Sequence, residues 1–255
     1  SDALYFGVTC YDSEPSAIIA TQLTRDSELD VDDYVSVVID PFLDHRNGFF
    51  FDVNPAGARS DGQISNSSEF ADLTWDGIWN AHARITPEGW VAEIEIPFKT
   101  LRFKPGQSVW GLNFERGIKR HNETNRWSGA RQNIWLTNLA EAGRLEGLPD
   151  ARQGMGLDIR PYGLVVRKEG NDWDFDGGLD ISKNLAPNLN ASITINTDFA
   201  ETEVDARQVN LTRFDLFYPE KRAFFLEGAG VFDFAAGNTF FPDLIPFFSR
   251  RIGLM

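Results

Sequence analysis

Alternation of apolar and polar positions runs through most of this chain and predicts strands rather than helices. Ala3 to Cys10 reads as a short apolar strand, closed by the turn formers Asp12-Ser-Glu-Pro-Ser16. Tyr34 to Ile39 is the next, ended by Asp40-Pro41. Gly48 to Val53 follows, with Asn47-Gly48 as a tight hairpin signal and Asn54-Pro-Ala-Gly57 as a further turn. Trp79 to Ile85 and Trp90 to Ile96 alternate on either side of Thr86-Pro-Glu-Gly89; Pro97 stops the second, and Val109 to Arg116 is one more strand. Short strands with turns at regular intervals, and no long helical period, predict an all-β fold: an antiparallel β-sandwich, jelly-roll-like.

The pattern changes over Thr137 to Gly156, where Gly143, Gly147, Pro149, Gly154 and Gly156 interrupt any periodicity. This stretch reads as a linker, dividing a sandwich over residues 1–150 from a second part over residues 151–255. Beyond it the alternation is strict. Trp173, Phe175, Gly177, Leu179 and Ile181 fall on one face against Asp174, Asp176, Gly178, Asp180 and Ser182. Leu189, Ala191, Ile193, Ile195 and Phe199 repeat this against Asn190, Ser192, Thr194, Asn196 and Asp198. Such segments fit barrel-type strands of an outer-membrane protein, and equally an antiparallel sheet with one wet face.

Composition narrows the function classes. With 42% apolar residues, a chain of 255 can bury a real core. Thirty-eight acids against 24 bases, net charge -14, argue against nucleic acid and anionic lipid surfaces as partners. Cys10 has no disulfide partner, and His45, His82 and His121 lie too far apart in sequence for zinc spacing. No apolar run is long enough for a transmembrane helix, and Ser1-Asp2 opens the chain without a leader.

Several stretches are similar to known families. Ala3-Leu-Tyr-Phe-Gly-Val8, Arg25-Asp26, Asp33-Tyr-Val-Ser-Val-Val-Ile-Asp40, Phe51-Asp-Val-Asn-Pro-Ala-Gly57, Trp75-Asp-Gly-Ile-Trp79 and Gly89-Trp-Val-Ala-Glu-Ile-Glu-Ile-Pro-Phe98 resemble the family-9 carbohydrate-binding modules. The run Asn210-Leu-Thr-Arg-Phe-Asp-Leu-Phe-Tyr-Pro-Glu-Lys-Arg-Ala-Phe-Phe-Leu-Glu-Gly228 and Phe248-Ser-Arg-Arg-Ile-Gly253 resemble bacterial outer-membrane barrel proteins of unassigned function, which carry a family-9-like sandwich before the barrel. The resemblance implies a Gram-negative bacterium, a sandwich in the periplasm or at the cell surface, and a barrel in the outer membrane. It also implies further strands on both sides of this chain, so that a protein partner covering open sheet edges is expected.

Sugar recognition in water needs flat apolar faces for the C–H side of the ring and a few fixed polar groups for its hydroxyls. Trp75 and Trp79 with Asn54, Arg25 and Asp76 are the candidate set. Trp79 and Trp90 also fit inward-facing core positions, which leaves Trp75 the better platform. Glu93 and Glu95, two apart on one strand, place their carboxyls roughly 6–7 Å apart, within the broad range that glycosidase pairs use; adjacent acids on the wet face of a strand are ordinary, and no third group separates their roles. Asp30, Asp32 and Asp33 are candidate calcium ligands, although the spacing is not that of an EF-hand; the resemblance implies structural Ca2+. Pro219-Glu-Lys-Arg222 opens a short predicted helix. Lys221, Arg222, Arg250 and Arg251 form a basic cluster that Glu201, Glu203 and Asp205 can neutralise. The leading expectation is non-catalytic binding of an oligo- or polysaccharide at the outer membrane. A glycoside hydrolase and a structural subunit docked on another membrane complex are the alternatives.

Overall fold

The computed structural model describes residues 2–65, 71–73, 75–104, 106–148, 157–167, 173–186 and 189–196. The chain separates into two compact units, Ser1–Gly154 and Met155–Met255. The first contains β1 (Ala3–Tyr11), β2 (Tyr34–Asp40), β3 (Gly48–Val53), β4 (Arg59–Ile64), β5 (Asn80–Thr86), β6 (Gly89–Pro97), β7 (Val109–Ile118), β8 (Glu123–Arg126) and β9 (Gly143–Glu146). One sheet has the order β1-β6-β5; the other runs β4-β3-β2-β7-β8, with β9 also paired to β7. Every pairing is antiparallel, and among the described residues the elements are strands and short 3-10 turns with no α-helix, an all-β fold.

Side-chain alternation explains how the sheets meet. Trp90, Ala92, Ile94 and Ile96 of β6 point inward with Cys10, against Val35, Val37 and Ile39 of β2, Phe49, Phe51 and Val53 of β3, and Trp110 and Leu112 of β7. The aromatic residues interlock: Trp110 meets Phe98 edge-on at 5.9 Å and lies 5.1 Å from Phe103. Strand β2 is buried at every position but Tyr34 because it is covered on both faces. Its Val38 joins Phe50, Ile64 and Leu139 in a separate small core on the far side of the larger sheet.

Three local expectations change. Asn47-Gly48 does not form a two-residue hairpin: residues 41–47 make a longer loop with left-handed φ at Leu43 (51°) and His45 (59°). The Asp40 carboxylate holds it by accepting from the backbone N–H of Phe42 at 3.1 Å and of His45 at 2.8 Å. Gly48 is required instead because a Cβ there would crowd the Ile39 carbonyl and Leu139. The 137–156 segment is no simple linker, since it contributes a 3-10 turn at Leu139–Glu141 and the strand β9. Finally β4, Arg-Ser-Asp-Gly-Gln-Ile, carries no clean alternation that would predict a strand, yet it pairs with β3 over six residues.

The second unit shows β10 (Leu157–Arg167), β11 (Trp173–Ala186) and β12 (Leu189–Ile195) in one antiparallel sheet. Register aligns Ile159 with Ile181 and Val165 with Phe175, then Ile181 with Ile193 and Leu179 with Ile195. Opposed residues share a face, so these apolar positions merge into one surface, on which Ile159, Val165, Trp173, Phe175, Ile193 and Ile195 are exposed. Arg160 is opposed to Asp180, and Asp180 to Thr194, on the other face. The expected helix from Pro219 and the cluster of Lys221, Arg222, Arg250 and Arg251 lie outside the described residues.

Candidate functional site

Of the sequence-nominated residues, Arg25, Trp75, Asp76 and Trp79 converge, and an unforeseen carboxylate organises them. Asp61 on β4 is 1% exposed. It accepts from Arg25 Nη2 at 2.8 Å, from the Gly77 N–H at 2.6 Å and from Trp79 Nε1 at 2.9 Å. Burial raises the pKa of Asp61, against the lowering by those donors. Arg25 also pairs with Asp76 and donates to the Gly77 carbonyl at 2.9 Å. The bare Gly77 lets the Trp75 ring lie close, where a Cβ would collide with it.

These contacts fix what each side chain can do. Trp79, 2% exposed, fills the core edge-on to Phe51 at 5.1 Å and offers no face to solvent. Trp75 is half-buried, its ring 4.8 Å from that of Phe49 and 6.1 Å from that of Phe51. Arg25 and Asp76 form a preorganised charged pair at the surface, with exposed Leu23 and Ile78 on the same two segments.

Asn54 belongs to a separate network. Its Nδ2 donates to the Gln22 carbonyl at 2.8 Å and to Asp32 Oδ2 at 2.9 Å, and its Oδ1 accepts from Ala58 N–H at 2.8 Å. Asp32 also accepts from the N–H groups of Thr21 and Gln22 and from the Thr21 hydroxyl. Burial opposes ionisation of Asp32, but these donors outweigh it and lower its pKa. Asp33 turns elsewhere, accepting from Lys119 N–H at 2.9 Å, and Asp30 is exposed. The three acids do not converge, and among the described residues no group of three His, Cys, Asp or Glu side chains is placed to hold a metal.

Glu93 and Glu95 lie on the outer face of β6, opposite Gly7 and Tyr5 of β1. Glu95 accepts from the Tyr5 hydroxyl at 2.9 Å and from Asn80 Nδ2 at 3.3 Å.

The structure adds a candidate site on the loop after β8 that alternation alone could not reveal. Trp127 and Trp135 are each 58% exposed, while Trp79, Trp90 and Trp110 are buried. The Trp127 ring lies edge-on to Phe114 at 5.9 Å and rests over Gly143, whose missing side chain leaves it room. Arg126 fastens the loop from beneath: Nε donates to Glu115 Oε2 at 2.9 Å and Nη1 to the Ile134 carbonyl at 2.5 Å, next to Trp135. Tyr34 donates its hydroxyl to the other oxygen of Glu115 at 2.9 Å, and burial, then Glu115, raises the Tyr34 pKa. Asn113 pins Ser128 by a reciprocal pair of 3.0 Å bonds. Between the two indoles the loop exposes Arg131, Gln132 and Asn133. Two accessible indoles on an anchored loop, with amides and a guanidinium between them, are what binding of a hydroxyl-rich ring requires.

A family model described as a domain of unknown function (DUF5916) matches residues 156–255. No curated protein matches the chain. Among solved structures, a candidate carbohydrate-binding protein from Bacteroides uniformis ATCC 8492 is similar at 17% identity and a TM-score of 0.42, over 51% of this chain and 67% of that one. A family-9 carbohydrate-binding module from Caldicellulosiruptor kristjanssonii in complex with cellotriose is similar at 17% identity and a TM-score of 0.41, over 56% and 68%. The same organism's family-9 module in complex with glucose gives 18% identity and 0.42, over 59% and 74%.

Proposed function

We propose that the sandwich is a non-catalytic carbohydrate-binding module, displayed at the outer membrane of a Gram-negative bacterium and serving polysaccharide capture. The observation that carries the binding half is the exposure of Trp127 and Trp135 on a loop held by Arg126, Glu115 and Asn113. Flat apolar faces kept in water cost solvation, and a saccharide ring repays that by stacking its C–H surface on them. A loop already fixed loses little further entropy on binding. The membrane half rests on β10–β12, where one face gathers most of the exposed apolar residues while the opposed face carries Arg160, Asp176, Asp180 and Thr194 beside Tyr162 and Leu164, a bias that fits strands with lipid on one side.

Titration calorimetry with cello-, xylo- and manno-oligosaccharides tests the binding half. Trp127→Ala is expected to weaken binding about tenfold or more while leaving the urea midpoint in place. Absence of binding to all three sugar series, or a Trp127→Ala variant that binds like the parent, overturns it. Fractionation of cells bearing the full protein tests the membrane half, and recovery in a soluble fraction overturns it.

A further inference from the structure

The outer face of the β1-β6-β5 sheet carries a second arrangement that the loop site does not use. Alternation places Tyr5, Gly7, Thr9 and Tyr11 of β1 on that face. Tyr5 is 66% exposed and Tyr11 70% exposed. Six residues apart on one strand, they stand about 20 Å from each other along a straight line. Between them Gly7 leaves the floor clear, since nothing lies within 4 Å of where its Cβ would be. Tyr5 is held in place, because its hydroxyl donates to Glu95, which Asn80 also grips. Beside Gly7 in register stand Glu93 of β6 and then His82 of β5, both exposed or half-exposed polar groups of the same face.

We propose that this face is a second saccharide-binding surface, on which one extended, neutral, β-linked polysaccharide chain lies along β1 with Tyr5 and Tyr11 as its two stacking platforms. The spacing selects the ligand. A mono- or trisaccharide reaches one ring only, and a chain that coils leaves the line of the strand. The open floor at Gly7 lets sugars approach between the platforms, with Glu93 as hydroxyl acceptor. Glu93 and Glu95, on a protein of net charge -14, repel uronate-rich or sulfated chains, so charge excludes an anionic polymer from this face. The proposal rests on the saccharide reading of this sandwich but on different residues, so the two can fail separately.

The test uses the full chain with two probes, cellotriose and soluble hydroxyethylcellulose, and two variants. In the Tyr5→Ala/Tyr11→Ala double variant, affinity for the polymer is expected to fall about tenfold with cellotriose binding unchanged. Gly7→Arg, which meets open space in the fold, is expected to block the polymer alike without removing either ring. Polymer affinity at the parent level in both variants overturns this proposal alone, leaving the Trp127 site standing. A parent protein that binds neither probe overturns both readings. Loss of a parent dimer in the double variant, seen by sedimentation, would instead assign the face to a second copy of this chain and overturn the proposal too.

Discussion

Arg120 grips Asp12 with two hydrogen bonds, Nη1 to Oδ2 at 2.8 Å and Nη2 to Oδ1 at 2.7 Å, between residues 108 apart in sequence. The pair ties the end of β1 in one sheet to the turn after β7 in the other. Arg116 strengthens the tie through its Nη1, which donates to the Tyr11 carbonyl at 2.9 Å. The Arg120 hydrogen bonds lower the Asp12 pKa despite burial. A carboxylate with a depressed folded-state pKa contributes stability above its unfolded value, near 3.9, and loses it as pH falls through the folded value. Asp12→Ala is therefore expected to lower the urea midpoint at neutral pH, with the gap to the parent closing as pH drops below about 4. A gap that stays constant down to acid would show that the ion pair contributes nothing.

Asp52 behaves in the opposite sense. On β3 it faces Ser36 of β2, away from the main core, and burial pushes its carboxyl up to about 7, with Ser36 lowering it and Glu115 raising it. A raised folded-state pKa stabilises the fold below the unfolded value and costs stability as pH rises from about 4 to about 7. Asp52→Asn is expected to flatten that slope and to make the protein more stable than the parent at pH 8, by roughly 4 kcal/mol at most. Parallel stability curves for parent and variant across this range would remove the assignment.

What the sequence made legible followed from burial. The Trp90–Ile96 alternation located β6 because one of its faces is core and the other is water, and the β10–β12 register joined alternating residues just as their order implied. Asp61 has no signal in the sequence because its meaning lies in partners far along the chain, Arg25 and Trp79, which the fold brings to β4, the Asp26 N–H donating to the Arg59 carbonyl at 2.9 Å. Trp127 and Trp135 were overlooked for a related reason: a tryptophan in a loop has no period to say whether it faces in or out. Residues 139–146 do not act as a linker because they build a 3-10 turn and the strand β9, where Gly143 serves close packing beneath the Trp127 ring.

Removing the organiser of the Arg25 cluster should damage the fold more than the surface. Asp61→Ala leaves Trp79 Nε1 and the Gly77 N–H without their acceptor and Arg25 without its buried partner, a loss of about 3–5 kcal/mol. Asp76→Ala removes only the exposed partner of Arg25 and is expected to cost below about 1 kcal/mol. Chemical denaturation of the two variants measures the contrast, and equal costs would show that the buried carboxylate is not the anchor.

Cys10 is 3% exposed, and burial raises its thiol pKa to about 11. The thiolate is the reactive form, so a disulfide reagent at pH 8 is expected to leave the native protein unmodified and to titrate one thiol after unfolding. Rapid native-state labelling would mean that β1 opens readily, since Cys10 lies opposite Trp90 in the β1–β6 register.

The second unit offers the sharpest test of the membrane reading. Ile181 and Ile193 are register partners at the centre of the apolar face of β11 and β12, with Ile159 beyond them on β10. If that face meets lipid, a charge there is costly, about 2–4 kcal/mol for one lysine near the bilayer midplane. If it meets water, the same change is nearly neutral. Thr194 and Asp180, opposed on the other face, give the internal control. Ile193→Lys in the full protein is expected to reduce recovery in the detergent-extracted membrane fraction sharply, while Thr194→Lys leaves it at the parent level. Equal recovery of both would take lipid away from this face and leave it to a protein partner, because an exposed row of isoleucine, valine and phenylalanine still has to be covered.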